Sequence, residues 1–214
     1  MAHDVNSPDF TIGVIGTGTM GRGIAQISVT GGFKVKIFDV QEGAADKAQG
    51  FINRMVSRAA EKGQMSEADA AAANGRLQII GSLADMADCD MVVEAIVENL
   101  DVKRAVFGEL EGIVAEDTVL ASNTSSLSVT QIAAGCAKPE RVAGFHFFNP
   151  VPLLKVVEVV DGEMTASWVT DKLDAIARKC GHDPVRTQDT PGFLVNHAGR
   201  GLYTEGARVL AEGI

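Results

Sequence analysis

A histidine and a glutamate in two apolar segments form the pairing with the clearest chemical potential in this chain. His146 ends the segment 142–146, and Glu158 lies twelve residues later among valines. Burial of a carboxylate is costly unless the group is paired, so His146 is the natural partner of Glu158 across the intervening turn. A glutamate bound to one imidazole nitrogen would leave the other nitrogen as a general base or acid. The same spacing also fits a pair that only stabilises the fold.

A glycine-rich segment predicts a dinucleotide site. It follows an apolar strand and opens a helix, which is the context that gives a GxGxxG pattern its meaning. Gly16 would permit the tight turn, Gly18 would let a pyrophosphate approach the backbone, and Gly21 would allow the helix to pack closely on the strand. The N-terminal amides of the helix would then face the phosphates. The segment consists of Gly16, Thr17, Gly18, Thr19, Met20 and Gly21.

Asp39 is a further residue of the predicted dinucleotide site. It follows the next predicted strand, eighteen residues beyond Gly21. A carboxylate at this place can accept hydrogen bonds from ribose hydroxyls and would repel a 2′-phosphate, so NAD is favoured over NADP. An aspartate that only begins a turn is the alternative, which the neighbouring glycine pattern disfavours.

These residues lie in a chain that alternates short β-branched runs with longer helical stretches. Such alternation predicts an α/β fold of the Rossmann type, with a doubly wound, mostly parallel sheet and helices on both faces. The predicted strands are residues 10–15, 34–38, 77–80, 91–94, 119–122, 142–146, 155–160 and 185–187. The predicted helices are residues 20–30, 41–62, 66–75, 100–113, 127–134, 166–179 and a last helix from residue 193 onward.

The domain organisation follows from where this alternation begins and ends. Residues 1–9 form a polar leader, and residues 10–189 form the nucleotide-binding domain. Pro191 and Gly192 then break the pattern, and the chain from Phe193 onward is predicted to be helical with no further strand, so residues 190–214 are set apart from the nucleotide-binding domain. This last segment is too short for a core of its own, so it is interpreted as the start of a helical domain.

Composition and charge exclude several classes of protein. The 214 residues carry 19 Lys and Arg against 28 Asp and Glu, a net charge of −9, with 46% apolar residues. The apolar fraction is too high for a disordered chain, the acidic balance disfavours a general nucleic-acid binder, and no apolar run is long enough for a membrane helix. Three widely spaced cysteines predict neither a disulfide framework nor a metal site. Because the leader lacks the features of a secretory signal, a cytoplasmic protein is expected.

Four segments taken together resemble the L-3-hydroxyacyl-CoA dehydrogenase family. They are the glycine segment, residues 93–99 (VEAIVEN), residues 122–127 (SNTSSL) and the His–Glu segment 145–160. The resemblance extends from Phe10 to about Asn196. It implies an NAD-dependent enzyme of β-oxidation that oxidises (S)-3-hydroxyacyl-CoA to 3-ketoacyl-CoA, or catalyses the reverse reduction. A sugar-acid dehydrogenase on the same fold, and a nucleotide-binding module without activity, are the alternatives.

The resemblance also implies roles for individual residues. His146 matches the catalytic base and Glu158 the acid that orients it, while Ser125 and Asn196 match residues that hold the reacting end of the substrate. Arg54 and Arg58, one turn apart on a predicted helix, would bind CoA phosphates, although an exposed arginine pair is more often merely solvated. The implied cofactor-binding set is Gly16, Gly18, Thr19, Met20, Gly21, Asp39, Glu98, Lys103, Asn123 and Asn149. No metal is implied.

Two departures from the family pattern concern the end of the chain. After Asn196 the family continues with Arg and large apolar residues, whereas His197 is followed here by Ala198, Gly199, Arg200 and Gly201. The two glycines weaken a helix by about 1 kcal/mol each relative to Ala. The family also continues beyond Ile214 with a helical domain that closes the substrate cleft and forms a homodimer. The sequence is therefore interpreted as a truncated chain that folds and binds NAD but turns over slowly.

Overall fold

The computed structural model describes residues 4–214; residues 1–3 of the predicted leader lie outside the described residues. Eight strands form one sheet in the order β3-β2-β1-β4-β5-β6-β7-β8. All neighbouring strands are parallel except β6 and β7, which are antiparallel. The strands are β1 Thr11–Ile15, β2 Lys34–Phe38, β3 Leu77–Ile79, β4 Met91–Glu94, β5 Val119–Ser122, β6 Val142–Phe147, β7 Val156–Asp161 and β8 Asp183–Gln188.

Helices cover both faces of this sheet. One apolar cluster joins the sheet to the first, second and sixth helices through residues such as Ile24, Ile52 and Leu173. A second cluster joins the opposite face to the fourth and fifth helices, for example through Phe107 and Ile132. The predicted α/β, doubly wound, mostly parallel sheet is thus confirmed. The helices are α1 Thr19–Thr30, α2 Ala44–Glu61, α3 Glu67–Gly75, α4 Leu100–Glu111, α5 Val129–Ala133, α6 Ser167–Lys179 and α7 Val195–Ala211.

Several predicted boundaries are wrong by two or three residues, each for a local reason. Helix α2 begins at Ala44 rather than at residue 41, because Gly43 adopts a left-handed conformation with φ of 71°. Helix α5 begins after Ser128, whose side chain accepts a hydrogen bond from Gln131 N. Helix α7 begins at Val195 rather than at residue 193. Two short 3₁₀ helices, Leu83–Met86 and Pro139–Arg141, were not predicted.

Helix α7 leaves the sheet after its first turn. None of its residues, all of which the structure describes, is buried. The helix continues through Gly199 and Gly201, so the two glycines do not interrupt it. Its side chains Leu202, Tyr203 and Leu210 are 79%, 83% and 80% exposed.

The described residues show two further features that bear on the composition analysis. Cys89, Cys136 and Cys180 are all free thiols, and burial raises the pKa of Cys89 to about 12 and of Cys136 to about 11. Within residues 4–214, no helix is long and apolar enough to span a bilayer.

Candidate active site

The predicted pairing of His146 and Glu158 is present in the sheet. His146 on β6 and Glu158 on β7 stand directly opposite each other in the antiparallel pair. His146 Nδ1 lies 2.6 Å from Glu158 Oε2. Glu158 is fully buried and His146 is 5% exposed. Because neighbouring cross-strand side chains lie on one face of a sheet, the register alone brings the two groups into contact.

The second oxygen of Glu158 is bound by the backbone, which the sequence did not reveal. Oε1 accepts hydrogen bonds from Leu194 N at 2.9 Å and Val195 N at 2.8 Å, at the start of α7. Burial opposes ionisation of Glu158, but the hydrogen bonds from His146, Val195 and Leu194 hold the pKa of its carboxyl below the ordinary value. Glu158 is therefore an anion with both oxygens engaged, which favours a proton on His146 Nδ1.

His146 opens into a pocket of about 470 Å³ at the carboxyl end of the parallel strands. The carboxyl ends of the strands are where ligands bind in open α/β sheets. The rings of Phe148 and Phe193 lie 4.6 Å and 5.7 Å from the imidazole, between centroids, and fix its orientation. The predicted site residues that line the pocket are Met20, Glu98, Lys103, Asn123, Ser125, His146, Asn149 and Asn196.

Glu98 organises the loop that carries Ser125. Its Oε1 accepts hydrogen bonds from Thr124 Oγ1 at 2.6 Å, Ser125 N at 3.1 Å and Ser126 Oγ at 3.1 Å. Burial acts to raise the pKa of Glu98. The hydrogen bond from Thr124, the charge of Lys103 and the hydrogen bond from the Ser125 amide outweigh it, so the pKa lies below its ordinary value. Glu98 was predicted beside the cofactor. The structure shows Glu98 at the edge of the pocket, bound to the serine loop.

Lys103 lies in a buried ion pair at the base of the same pocket. Its Nζ is 2.6 Å from Glu94 Oε1 and 3.3 Å from Glu98 Oε2, and its side chain is 1% exposed. Glu94, the last residue of β4, also accepts hydrogen bonds from Ser122 Oγ at 2.7 Å and Ile96 N at 2.7 Å. Sequence reasoning missed Glu94. Glu94 could have been found from its position, because it is a charged residue at the end of an apolar strand, much as Asp39 directly follows β2.

Three predicted asparagines contribute in different ways. Asn123 Oδ1 accepts a hydrogen bond from Phe147 N at 2.9 Å and thereby joins the ends of β5 and β6. Asn196 Nδ2 donates to Ser125 O at 3.3 Å, so the first turn of α7 reaches the serine loop. Asn149 is exposed and lines both this pocket and a neighbouring groove.

The glycine turn forms a cradle in which two of the three glycines cannot be replaced without a clash. A Cβ on Gly16, which has φ of 86°, would lie 2.6 Å from Ala95 O, and a Cβ on Gly21 would lie 1.8 Å from Gly16 O. A Cβ on Gly18 would meet nothing within 4 Å. The open space above Gly18, at the N-terminus of α1, fits an approaching pyrophosphate. Thr19 and Met20 begin the helix beside it.

Asp39 fixes this turn from the end of β2. Its Oδ2 accepts hydrogen bonds from Thr17 N at 2.7 Å and Thr17 Oγ1 at 2.8 Å, and its Oδ1 accepts from Gln41 N at 2.9 Å. Burial opposes ionisation, but these bonds, that of Gln41 first, hold the pKa of Asp39 below its ordinary value. The carboxylate is charged at neutral pH and keeps lone pairs for ribose hydroxyls, so the residues present fit a dinucleotide without a 2′-phosphate.

A second groove, of about 510 Å³, adjoins the pocket at Asn149. Arg58 lines it, as do Arg22 and Lys62, which sequence reasoning missed. The Arg22 guanidinium lies 4.2 Å from the centre of the Phe51 ring. Arg54 is exposed and does not line the groove, although it approaches the same ring at 5.9 Å. Of the predicted pair, only Arg58 therefore lines the groove, together with the two other cations.

Among residues 4–214, no group of three or more His, Cys, Asp or Glu side chains is placed to hold a metal ion. His182, which the sequence did not connect to chemistry, is buried, and its Nε2 lies 2.9 Å from Val151 O.

Comparison with known proteins identifies the family. Residues 11–190 match the family described as "3-hydroxyacyl-CoA dehydrogenase, NAD binding domain". The chain belongs to the 3-hydroxyacyl-CoA dehydrogenase family. Since the matched part is the NAD-binding domain of that family, NAD is its cofactor, in agreement with the cradle and with Asp39.

Individual members of the 3-hydroxyacyl-CoA dehydrogenase family are similar over almost the whole chain. A 3-hydroxyadipyl-CoA dehydrogenase of Escherichia coli is 40% identical over 95% of this chain. A 3-hydroxybutyryl-CoA dehydrogenase of Clostridioides difficile is 36% identical, also over 95%. A crystal structure of 3-hydroxybutyryl-CoA dehydrogenase from E. coli K12 superposes with a TM-score of 0.92 at 40% identity, over 95% of this chain.

The match covers only part of each relative. The chain spans 43% of the E. coli protein, 72% of the C. difficile protein and 43% of the chain in the E. coli crystal structure. Residues 11–190, which match the family, include His146, Glu158, the glycine cradle and the residues that line the groove.

Substitution of the cradle glycines separates folding from cofactor binding. We expect Gly21→Ala to lower the free energy of unfolding by about 3 kcal/mol, because its Cβ cannot avoid the Gly16 carbonyl. We expect Gly18→Ala to leave stability within about 0.5 kcal/mol while weakening NADH binding at least about tenfold, because its Cβ takes space needed by the pyrophosphate. Urea unfolding and NADH fluorescence titration measure the two effects. Gly50→Ala, in open space on α2, is the control. If Gly18→Ala bound NADH as tightly as the parent, the proposed position of the pyrophosphate at Gly18 would be wrong.

Proposed function

We propose that this chain contains the catalytic site of an enzyme that oxidises (S)-3-hydroxyacyl-CoA to 3-ketoacyl-CoA with NAD, or catalyses the reverse reduction. The observation that carries the proposal is the His146–Glu158 pair, 2.6 Å apart, which opens into the pocket next to the glycine cradle. Family membership supports the substrate class, because both relatives described above are named for 3-hydroxyacyl-CoA substrates.

His146 is proposed to move the proton of the reaction. NAD, when bound, supplies the nicotinamide carbon that takes the hydride from C3 of the substrate. The C3 hydroxyl proton passes to His146 Nε2, while Nδ1 stays bound to Glu158 Oε2. The charge of Glu158 stabilises the imidazolium that forms. In the reverse direction His146 returns this proton to the oxygen that becomes the hydroxyl. Such proton transfer contributes about 10²–10⁴-fold to rate.

Ser125 and Asn196 are proposed to bind the reacting oxygen. Both line the pocket with His146, and Asn196 Nδ2 already contacts the backbone of Ser125. A hydroxyl donor and an amide donor at this position stabilise negative charge on an oxygen as it develops. Glu98 supports this role indirectly, since it binds the Ser125 amide and leaves the hydroxyl of Ser125 to the pocket.

The adjoining groove is proposed to bind CoA. Arg22, Arg58 and Lys62 line it, although the chain as a whole carries a net charge of −9. A local cluster of cations favours phosphate binding against that overall repulsion. Asn149 lines both cavities, so the acyl chain is proposed to extend from the groove past Asn149 to His146. Arg54 is proposed only as an outer contact, since it does not line the groove.

We propose that the whole protein forms a homodimer through a helical domain, because α7 exposes apolar side chains such as Leu202 and Leu210. A cytoplasmic location is likewise proposed, because the three cysteines are free thiols, as in a reducing compartment.

The proposed activity is tested with acetoacetyl-CoA and NADH. We expect the absorbance of NADH at its long-wavelength maximum to fall only when protein, NADH and acetoacetyl-CoA are all present. Acetoacetate without CoA is the control for the groove, and a sugar acid with NAD⁺ tests the sugar-acid alternative. If NADH binds but neither substrate reacts, the same assay on a chain that extends through a helical domain distinguishes an incomplete cleft from an inactive module.

Cofactor selectivity depends on Asp39. We expect Asp39→Asn to reduce the preference for NADH over NADPH about tenfold, because the negative charge that repels the 2′-phosphate is removed. Titration of protein fluorescence with each nucleotide gives the two dissociation constants without turnover. Asp46→Asn, on the exposed first turn of α2, keeps the local backbone but should not change the ratio. An unchanged ratio in Asp39→Asn would show that selectivity arises elsewhere.

A further inference from the structure

A short segment joins the sheet to α7, and its first residue is firmly bound. This segment, residues 189–194, is called the linker below. Asp189 Oδ2 accepts hydrogen bonds from Ser128 Oγ at 2.6 Å and Thr130 N at 2.8 Å, and Oδ1 accepts from Val129 N at 3.0 Å. Burial raises the pKa of Asp189, but these bonds, that of Ser128 first, hold it below its ordinary value. The carboxylate thus fastens the linker to the start of α5.

The middle of the linker has an unusual backbone conformation. Gly192 has φ of 82°, and Phe193 has φ of 49°, the one positive value of a non-glycine residue within residues 4–214. Phe193 is buried and packs against Val129 and Val160. A bulky residue keeps a left-handed conformation only where its surroundings impose it, and such positions concentrate at functional sites. The packing of Phe193 and the anchoring of Asp189 both involve Val129.

The end of the linker reaches the acid of the catalytic pair. Leu194 N and Val195 N donate to Glu158 Oε1, while His146 Nδ1 lies against Glu158 Oε2. A connected series of contacts therefore runs from α5 through the linker to His146. Asp189 also satisfies the first two amides of α5, those of Val129 and Thr130, while Ser128 accepts from the Gln131 amide. One carboxylate therefore joins the start of α5 to the linker.

We propose that Asp189 is a positioning residue for the His146–Glu158 pair, because it anchors the linker whose two terminal amides bind Glu158. The expected effect of Asp189 on turnover rests on the proposed function. Its expected effect on the Glu158 carboxylate does not. Asp189 contacts neither His146 nor Glu158 in the hydrogen-bond network, so it acts through the backbone of residues 190–195.

The charge state of Glu158 reports on this arrangement. In the part of the chain that the structure describes, His146 on β6 is the titratable side chain that faces Glu158. Val185 stands opposite Glu158 on β8, and α7 contributes backbone amides. Hydrogen bonds to a carboxylate stabilise its charged form. Displacement of the two amides therefore raises the pKa of Glu158, whichever activity the chain has.

Asp189→Asn tests the proposal, because asparagine keeps the shape but replaces one acceptor with a donor facing Ser128 Oγ and the Thr130 amide. The titration of the Glu158 carboxyl carbon is followed by NMR in the full chain without ligand, with Glu158→Gln for assignment. We expect its midpoint to move to higher pH. We also expect kcat to fall about tenfold with an unchanged dissociation constant for NADH.

Two further variants complete the experiment. Asp171→Asn removes a carboxylate that pairs with Arg186 beside β8, and it should leave the Glu158 midpoint unchanged. Ser128→Ala removes one bond to Asp189 and should produce a smaller upward shift; it decides the question if Asp189→Asn does not fold. A folded Asp189→Asn chain with the Glu158 midpoint of the parent would overturn the proposal. A shifted midpoint would support the positioning role even if dehydrogenase activity were absent both here and in a chain that extends through a helical domain, a result that would reject the proposed function alone.

Discussion

His146→Gln is expected to lower kcat by about 10²–10⁴-fold while the dissociation constant for NADH changes less than twofold. Glutamine can still place an amide donor against Glu158 Oε2, so the fold and the buried carboxylate stay satisfied. It cannot accept the hydroxyl proton, because an amide is not basic at neutral pH. The effect therefore falls on the chemical step rather than on cofactor binding. Stopped-flow measurement of NADH consumption, with NADH binding measured separately, gives both quantities.

His197→Gln is the matched control for this substitution. His197 lies on α7 close to Asn196, is exposed, and its Nδ1 is 3.3 Å from Pro191 O. The His197→Gln chain should retain the turnover of the parent. A His146→Gln chain that is as active as the parent would show that another group, or solvent, carries the proton.

Lys103→Met is expected to lower the free energy of unfolding by about 3–5 kcal/mol. Lys103 is 1% exposed and Glu94 is fully buried, so removal of the ammonium leaves a carboxylate without its counter-charge in the sheet. This is a large part of the stability of a domain, which is typically about 5–15 kcal/mol. Urea denaturation monitored through the far-ultraviolet circular dichroism signal measures the loss.

The double variant Glu94→Gln/Lys103→Met distinguishes a charge effect from a packing effect. It removes both charges, and we expect it to recover at least half of the stability lost in Lys103→Met. Lys34→Met breaks an exposed pair with Asp9 and should cost less than about 1 kcal/mol. If Lys103→Met cost no more than Lys34→Met, the buried pair would contribute nothing to folding.

The sequence was sufficient for the strands and for the His146–Glu158 contact, and the reasons are physical. Fully buried parallel strands are continuous apolar runs, so β4 and β5 were predicted with their observed bounds. A carboxylate among the valines of β7 required a partner, and His146 was the one available. The roles of the predicted site residues in catalysis and binding remain predictions.

Other parts of the site could not be predicted because they depend on contacts without a residue-type signal. The amides of Leu194 and Val195 bind a carboxylate 36 and 37 residues away, and every residue other than proline has such an amide. The burial of Lys103 depends on how α4 packs over the end of β4, which local periodicity does not specify. Arg22 belongs to the groove only because α1 and α2 lie side by side.

The antiparallel pairing of β6 with β7 determines which insertions the His146–Glu158 pair can tolerate. Side chains alternate between the two faces of a strand, so one residue added within β7 before Glu158 would turn its carboxylate to the opposite face and bring a valine against His146. Two added residues would restore the correct side, with a displaced register. Odd-length insertions in this strand should therefore abolish turnover more completely than even-length ones. The constraint on an insertion in β7 is therefore whether it adds an odd or an even number of residues, rather than how long it is.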